Sequence, residues 1–170
     1  MSNFFVYDFA TGAERWKGKA EAAQEPPSGM GIVYVPDAAF AGNLADIDGV
    51  VLKTALWERV KALRDAVIDG GAPTPIGVVD SDELSRSNIS GAALGALIAQ
   101  SASASFSMEW TAKDNSVHTL DAPGMIALGL AVLQHVSAAH DRARDLRAEI
   151  EAASDVVTLL QIDTGAGWPS

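Results

Sequence analysis

The 170-residue chain contains no cysteine. Disulfides, thiolate nucleophiles and cysteine-ligated zinc are therefore excluded together. Basic residues are also scarce: 12 Lys and Arg stand against 22 Asp and Glu, a formal net charge of -10. A nucleic-acid binder needs Lys and Arg to neutralise phosphates, and an anionic membrane surface attracts the same groups, so neither partner is expected. The opening "MSNFFVYDFATG" lacks the basic segment and long apolar core of a signal peptide, and Asp8 interrupts it early. No apolar run is expected to reach the roughly 20 residues that span a bilayer. The expectation is a soluble protein made in a cytoplasm. Hydrophobic residues at 48% and charged residues at 20% are ordinary for a packed protein, which argues against global disorder. The length suits one domain or two small ones.

The first fifty residues read as β-rich. "FFVYDF" is aromatic and β-branched, and "ATG" offers a turn before "AERWKGK", which predicts a hairpin with Thr11 and Gly12 near its tip. "QEPPSGM" is a loop, "GIVYVP" a short buried strand, and "DAAFAGNLADIDG" a loop with room for one helical turn. "VVL" at 50–52 reads as one more short strand. From Lys53 the period changes: Leu52, Leu56, Val60, Leu63 and Val67 share one helix face, and Gly70, Gly71, Pro73 and Pro75 end the helix near Asp69.

"VVDSDELSRSNISGAALGALIAQSA" predicts a second helix, with Asp80 and Glu83 at capping-box spacing and Asp80 as the cap. Its interior glycines each cost about 0.8–1 kcal/mol relative to Ala, so the helix depends on packing. "SFSMEWTAKDNSVHTLDAPGM" then reads as two strands around an Asp114-Asn115 turn, followed by a helix start capped by Asp121 with Pro123 in its first turn. The last helix is expected over about 122–153, with Met125, Leu128, Val132, Val136, Ala139, Leu146 and Ile150 as its stripe. Its first half reads as core. Its charged second half projects beyond its own domain, with Arg147 and Glu151 one turn apart. The tail "VVTLLQIDTGAGWPS" has a β-like composition. The resulting fold class is α+β: a small β-rich N-terminal module over 1–52, a helix and linker over 53–75, and an Ala-rich helical domain over 76–170 with one β-hairpin between its last two helices.

Little of this points to chemistry. His135 and His140 are five apart, about 140° around a helix, and cannot chelate one ion from the same face. They read as helix-surface residues, with His118 in the hairpin. "DSDELSRSNISG" departs from a calcium loop where Gly and the final Glu belong. No nucleophile elbow, phosphate loop, dinucleotide fingerprint or zinc-protease motif occurs. Glu109 and Asp121 flank Trp110 and form the one carboxylate pair worth weighing for sugar hydrolysis, yet a strand and a helix cap account for both. No catalytic residue, cofactor or metal site is expected, and the protein reads as a non-enzyme. Trp110 is expected in the core, and Trp57 in the core or a helix–helix contact. Trp16 and Trp168 are harder to bury, which makes them the candidate partner contacts, since tryptophan is enriched at interface hot spots.

The run "VVDSDELSRSNISGAALGAL", the segment "FSMEWTAKDNSVHTLDAPGMIALGLAVLQHVSAAHDRARDLRAEIEAA" and the terminal "GWP" resemble a domain of unknown function common in tailed-phage and prophage genomes. The similarity covers roughly the last hundred residues. "FFVYDFATGAERWKG" with "PPSG" resembles, more loosely, the opening β-segment of tail-fibre assembly proteins. The resemblance implies a structural component of a bacteriophage tail, associated with fibre or baseplate, synthesised in the host cytoplasm and found in the virion. Its partners would be other tail proteins, and a homo-oligomer, trimeric by analogy with fibres, is part of the same expectation. It carries no catalytic residues with it. A dissociable tail-fibre assembly chaperone is the runner-up, and a carbohydrate-binding module touching the host surface is a third reading.

Overall fold

The computed structural model describes residues 2–21, 24 and 26–170. The fold is an α+β mixture whose elements group into two compact units. In chain order they are β1 (Ser2–Asp8), β2 (Glu14–Ala20), β3 (Met30–Val35), α1 (Asp37–Phe40), a 3₁₀ turn (Leu44–Asp46), α2 (Gly49–Asp69), β4 (Ala72–Thr74), β5 (Gly77–Val79), α3 (Glu83–Ser101), β6 (Met108–Thr111), β7 (Val117–Leu120), α4 (Ala122–Ala152) and α5 (Val156–Leu160). The expected loop "QEPPSGM" is described except at residue 25, which lies outside the described residues.

One unit comprises residues 1–63 and 142–167, the other 64–141 and 168–170. The division falls after residues 63, 141 and 167. Helices α2 and α4 each contribute residues to both units, and the charged half of α4 belongs with the N-terminal strands. Sequence periodicity reports which face of a helix is apolar, and it is silent on which distant segment covers that face.

In the first unit β2, β1 and β3 form an antiparallel sheet in that order, so β1 is central. Central placement explains its unbroken apolar run: Phe4, Phe5, Val6 and Tyr7 are all buried, with alternate residues serving opposite faces. Phe4 and Val6 join Ile32 in one cluster, against which Tyr34, Met30 and Ala20 pack. Phe5 meets Phe40 of α1 edge-on at 5.6 Å. Between Val6 and Tyr7 the pairing with β2 shifts from Trp16 to Glu14, a bulge that leaves Arg15 over. Arg15 then pairs with Asp8 at 2.8 Å. Asp8 also accepts from the backbone amides of Ala10 and Thr11, which closes the hairpin turn.

The expected strand at 50–52 is helical. Asp48 Oδ1 accepts from the amides of Val50 and Val51 at 2.8 and 3.4 Å, and this cap starts α2 ahead of the β-branched pair. The tail is helical too. Asp155 caps α5 through the Thr158 amide at 2.9 Å, and burial of Leu159 and Leu160 outweighs the β preference of Val156 and Val157. Long-range bonds tie this C-terminal segment into the unit: Gln161 Nε2 donates to Ala10 O, Arg59 Nε to Thr164 Oγ1, and Lys53 Nζ to Glu151 O. Trp57 takes the guanidinium of Arg147 over its ring at 5.1 Å, while Arg147 also meets Glu151 at 2.8 Å.

In the second unit the segment read as a linker is a small hairpin, β4–β5. Gly71, at φ +116, turns the chain out of α2. Ser81 anchors the hairpin from within the core. Its Oγ donates to Ile68 O at 2.6 Å and accepts from the Gly71 amide at 3.0 Å. The Lys113 amide, in the turn of the β6–β7 hairpin, donates to Val78 O at 2.8 Å, so the two hairpins are joined. The core gathers Ala72, Val79, Ile89, Ala96, Leu120, Met125, Leu128 and Val132, with Phe106 and Trp110 packed at its margin. Helices α3 and α4 meet closely at Gly129, where an added Cβ would stand 2.9 Å from that of Ala93.

Candidate functional site

Residues from three elements line an open cleft of about 280 Å³ in the second unit: Asp80 after β5, Ser85 in the first turn of α3, and Glu109, Trp110 and Thr111 on β6. Pairing of β6 with β7 sets the alternation, with Trp110 opposite His118 and Glu109 opposite Thr119. Trp110 therefore leans on the core while its neighbours stay polar and exposed. Ser85 is fixed by Asp82, which accepts from its amide at 3.0 Å and its hydroxyl at 2.8 Å. These bonds hold the Asp82 carboxyl below the usual carboxylate range.

Asp82, not Asp80, is thus the N-cap of α3. The cap lies two residues beyond the expected one, because β5 runs on to Val79 and leaves Asp80 exposed at the cleft. Asp121 sits at the start of α4, where its Oδ1 accepts from the Gly124 amide at 2.8 Å. The carboxylate that shares the cleft with Glu109 is Asp80, and Asp121 is not among the lining residues.

The hairpin turn holds an Asp114–Ser116–His118 chain, with the Ser116 hydroxyl 2.6 Å from Asp114 Oδ1 and 2.9 Å from His118 Nε2. The hydroxyl carries one proton. When it donates to Asp114, His118 Nε2 must itself be the donor and cannot act as base toward Ser116. Hydrogen bonds from Ser116 depress the Asp114 pKa, with a smaller contribution from His118. The arrangement braces a turn, and Asn115 takes φ 67 at its tip.

His135 corrects the surface reading. It is 7% exposed, and its Nε2 donates to Val67 O at 3.1 Å, which leaves a buried Nδ1 without a partner. His140 is exposed. Among the described residues no group of three His, Asp or Glu side chains could hold a metal ion.

Of the two candidate partner contacts, Trp16 is 45% exposed on the edge strand β2, whereas Trp168 is half-buried. Larger apolar exposure lies where none was expected: Leu94, Leu97 and Ile98 on α3 and Leu130 and Leu133 on α4 are all more than half exposed. The first half of α4 is core on one face only. By length and composition α4 also passes for a membrane-crossing helix, with a mean hydropathy of 1.4 over its most apolar window and a third of that window buried. A core helix passes the same test.

No curated protein and no solved structure matches the sequence. The family model for a domain of unknown function (DUF4376) matches residues 51–164, from α2 through α5, with the sheet of β1, β2 and β3 outside the match. With most of its length inside that match, the chain belongs to the DUF4376 family.

Proposed function

We propose that the chain is a structural component of a bacteriophage tail, associated with the fibre or baseplate, and that it attaches or stabilises the fibre through protein–protein contacts. The resemblance of its C-terminal and N-terminal segments to phage and tail-fibre-associated sequences supplies the setting. The observation that carries a contact role is Trp16. It stands 45% exposed on β2, a strand that pairs on one side only among the described residues. An edge strand offers free backbone donors and acceptors to a partner's strand, and an indole beside it supplies the apolar anchor. On this reading the N-terminal sheet carries the attachment surface.

Quantitative mass spectrometry of gradient-purified particles against crude lysate tests the reading. Retention at fixed stoichiometry with fibre or baseplate proteins is the expected result, and Trp16→Ala should lower that retention. Presence in lysate with absence from particles would overturn it in favour of the dissociable assembly chaperone.

The carbohydrate reading has one observation of its own. Trp110, Asp80 and Glu109 line a single cleft with two hydroxyl side chains. Carboxylates and hydroxyls around an indole suit the polar edges and apolar face of a sugar ring. Glycan-array binding that is lost in Trp110→Ala would support that reading.

A further inference from the structure

Strand β6 pairs with β7 alone among the described residues, and its register shows which of its backbone groups are free. The Ala112 amide donates to Ser116 O across the hairpin at 2.9 Å. Bonded and non-bonded positions alternate along an antiparallel ladder, so Trp110, opposite His118, is the next bonded residue. The amides and carbonyls of Glu109 and Thr111 therefore face away from β7, toward the open edge. Both residues line the cleft. Two residues beyond Thr111, on the same side of the strand, the Lys113 amide donates to Val78 O of β5 at 2.8 Å. That bond joins the edge of β6 to β5 at one point, and the pairing goes no further: β5 ends at Val79, and Asp80 lines the cleft instead.

The cleft is also negatively charged without compensation. Neither Asp80 nor Glu109 makes a hydrogen bond or an ion pair among the described residues. The basic side chains nearest to them along the chain are engaged elsewhere. Arg86, beside Ser85, is held by Asp69 at 2.7 Å and by Ser81 O, and Lys113 Nζ is held by Gly70 O. Two free carboxylates beside a free strand edge ask for a ligand that supplies both positive charge and backbone hydrogen bonds.

We infer that the cleft is a docking groove for an extended, basic segment of a partner protein, added as a strand to the edge of β6. Its backbone would bond to the outward amides and carbonyls of Glu109 and Thr111. Side chains alternate between the two faces of a strand, so the residue opposite Glu109 shares that carboxylate's face. Arg or Lys there makes a cross-strand ion pair, with Asp80 as a second acceptor in the same cleft. The next residue falls on the face of Trp110, where an apolar side chain fits. The partner segment thus alternates basic and apolar residues, and Arg suits the basic positions best because its planar fork binds carboxylates bidentately. This inference is independent of the tail reading, which rests on the edge of β2.

Nuclear magnetic resonance of the full chain, titrated with a capped Thr-Arg-Val-Arg-Thr peptide, tests it. Saturable shifts are expected at the backbone amides of Glu109 and Thr111 and at the indole of Trp110. Glu109→Gln and Asp80→Asn, both at exposed positions, should each weaken binding about two- to fivefold, as exposed ion pairs do. Trp16→Ala should leave it unchanged, which separates this site from the β2 edge. The same peptide with citrulline in place of arginine, equal in shape and uncharged, should bind more weakly by at least the same factor. A peptide N-methylated at the amides that face β6 should not bind. Absence of saturable shifts, equal binding of the citrulline peptide, or retained binding of the N-methylated one would overturn the proposal. So would shifts at these residues with a neutral sugar and none with the peptide, which would give the cleft to a glycan.

Discussion

The Tyr7 ring occupies the space where a side chain on Gly31 would stand, one strand away in the antiparallel pairing of β1 with β3. Both are internal strand positions, and Tyr7 is almost fully buried, so the ring has little room to retreat. Gly31→Ala should therefore destabilise the protein by about 1–3 kcal/mol, the usual cost of overpacking a tight core. Urea denaturation with an unchanged slope would measure it, and an unchanged midpoint would show that the ring moves freely.

Burial has a second consequence for Tyr7. It pushes the phenol pKa up to about 12, opposed by the nearby Arg59 and assisted by Asp163. A group whose pKa is higher folded than unfolded contributes stability that is complete below its unfolded value and lost as pH rises through the folded one. Stability should thus fall between about pH 10 and pH 12 by up to about 3 kcal/mol. Tyr7→Phe removes the ionisable group and should flatten this alkaline limb in thermal melts.

The caps separate two carboxylates that look equivalent in the sequence. Asp82→Ala should cost about 0.5–2 kcal/mol, whereas Asp80→Ala, with no helix amide to accept from, should leave the melting transition in place. Asp121→Ala should cost about as much as Asp82→Ala. Asp82 and Asp155 both have pKa values lowered chiefly by backbone and hydroxyl hydrogen bonds from their own helices. Their contribution is present above the unfolded value and lost on acidification below about pH 4. An acid limb that persists unaltered in the Asp82→Ala, Asp155→Ala double variant would assign it to other groups.

Ser81 is fully buried, and its hydroxyl satisfies the Ile68 carbonyl and the Gly71 amide at the end of α2. Ser81→Ala strands both backbone groups without water, and about 1–3 kcal/mol is expected. Hydrogen exchange at the Gly71 amide should accelerate in the variant. Protection equal to the parent protein would mean that another acceptor takes the proton.

The β6–β7 hairpin and both ends of α4 could be read directly from the residues. Strict alternation at Met108 and Trp110, a polar turn, and an Asp-Ala-Pro helix start are local signals that local structure obeys. The start of α2 was legible in Asp48 but masked by the β-branched Val50 and Val51. The β4–β5 hairpin was hidden by Pro73 and Pro75, which read as breakers, although proline is tolerated in a two-stranded ribbon with an open edge. At the cleft, Glu109 and Trp110 were visible as candidates, but Asp80 was not, because its place depends on where β5 ends. The exposed leucines of α3 and α4 could not be foreseen. An alanine-rich helix with leucines on several faces does not say which face its own chain will cover.

The first unit is assembled from segments on either side of residues 64–141, which form a continuous stretch of the second. On the ribosome these two halves meet different timetables. The continuous segment can collapse as soon as it clears the exit tunnel. Strands β1, β2 and β3 must wait for α5 and the end of α4, which are made after residues 64–141, before Leu159 and Leu160 can take their places. Until then the aromatic run of β1 is a nascent-chain liability, a stretch that a ribosome-bound chaperone would be the first to meet.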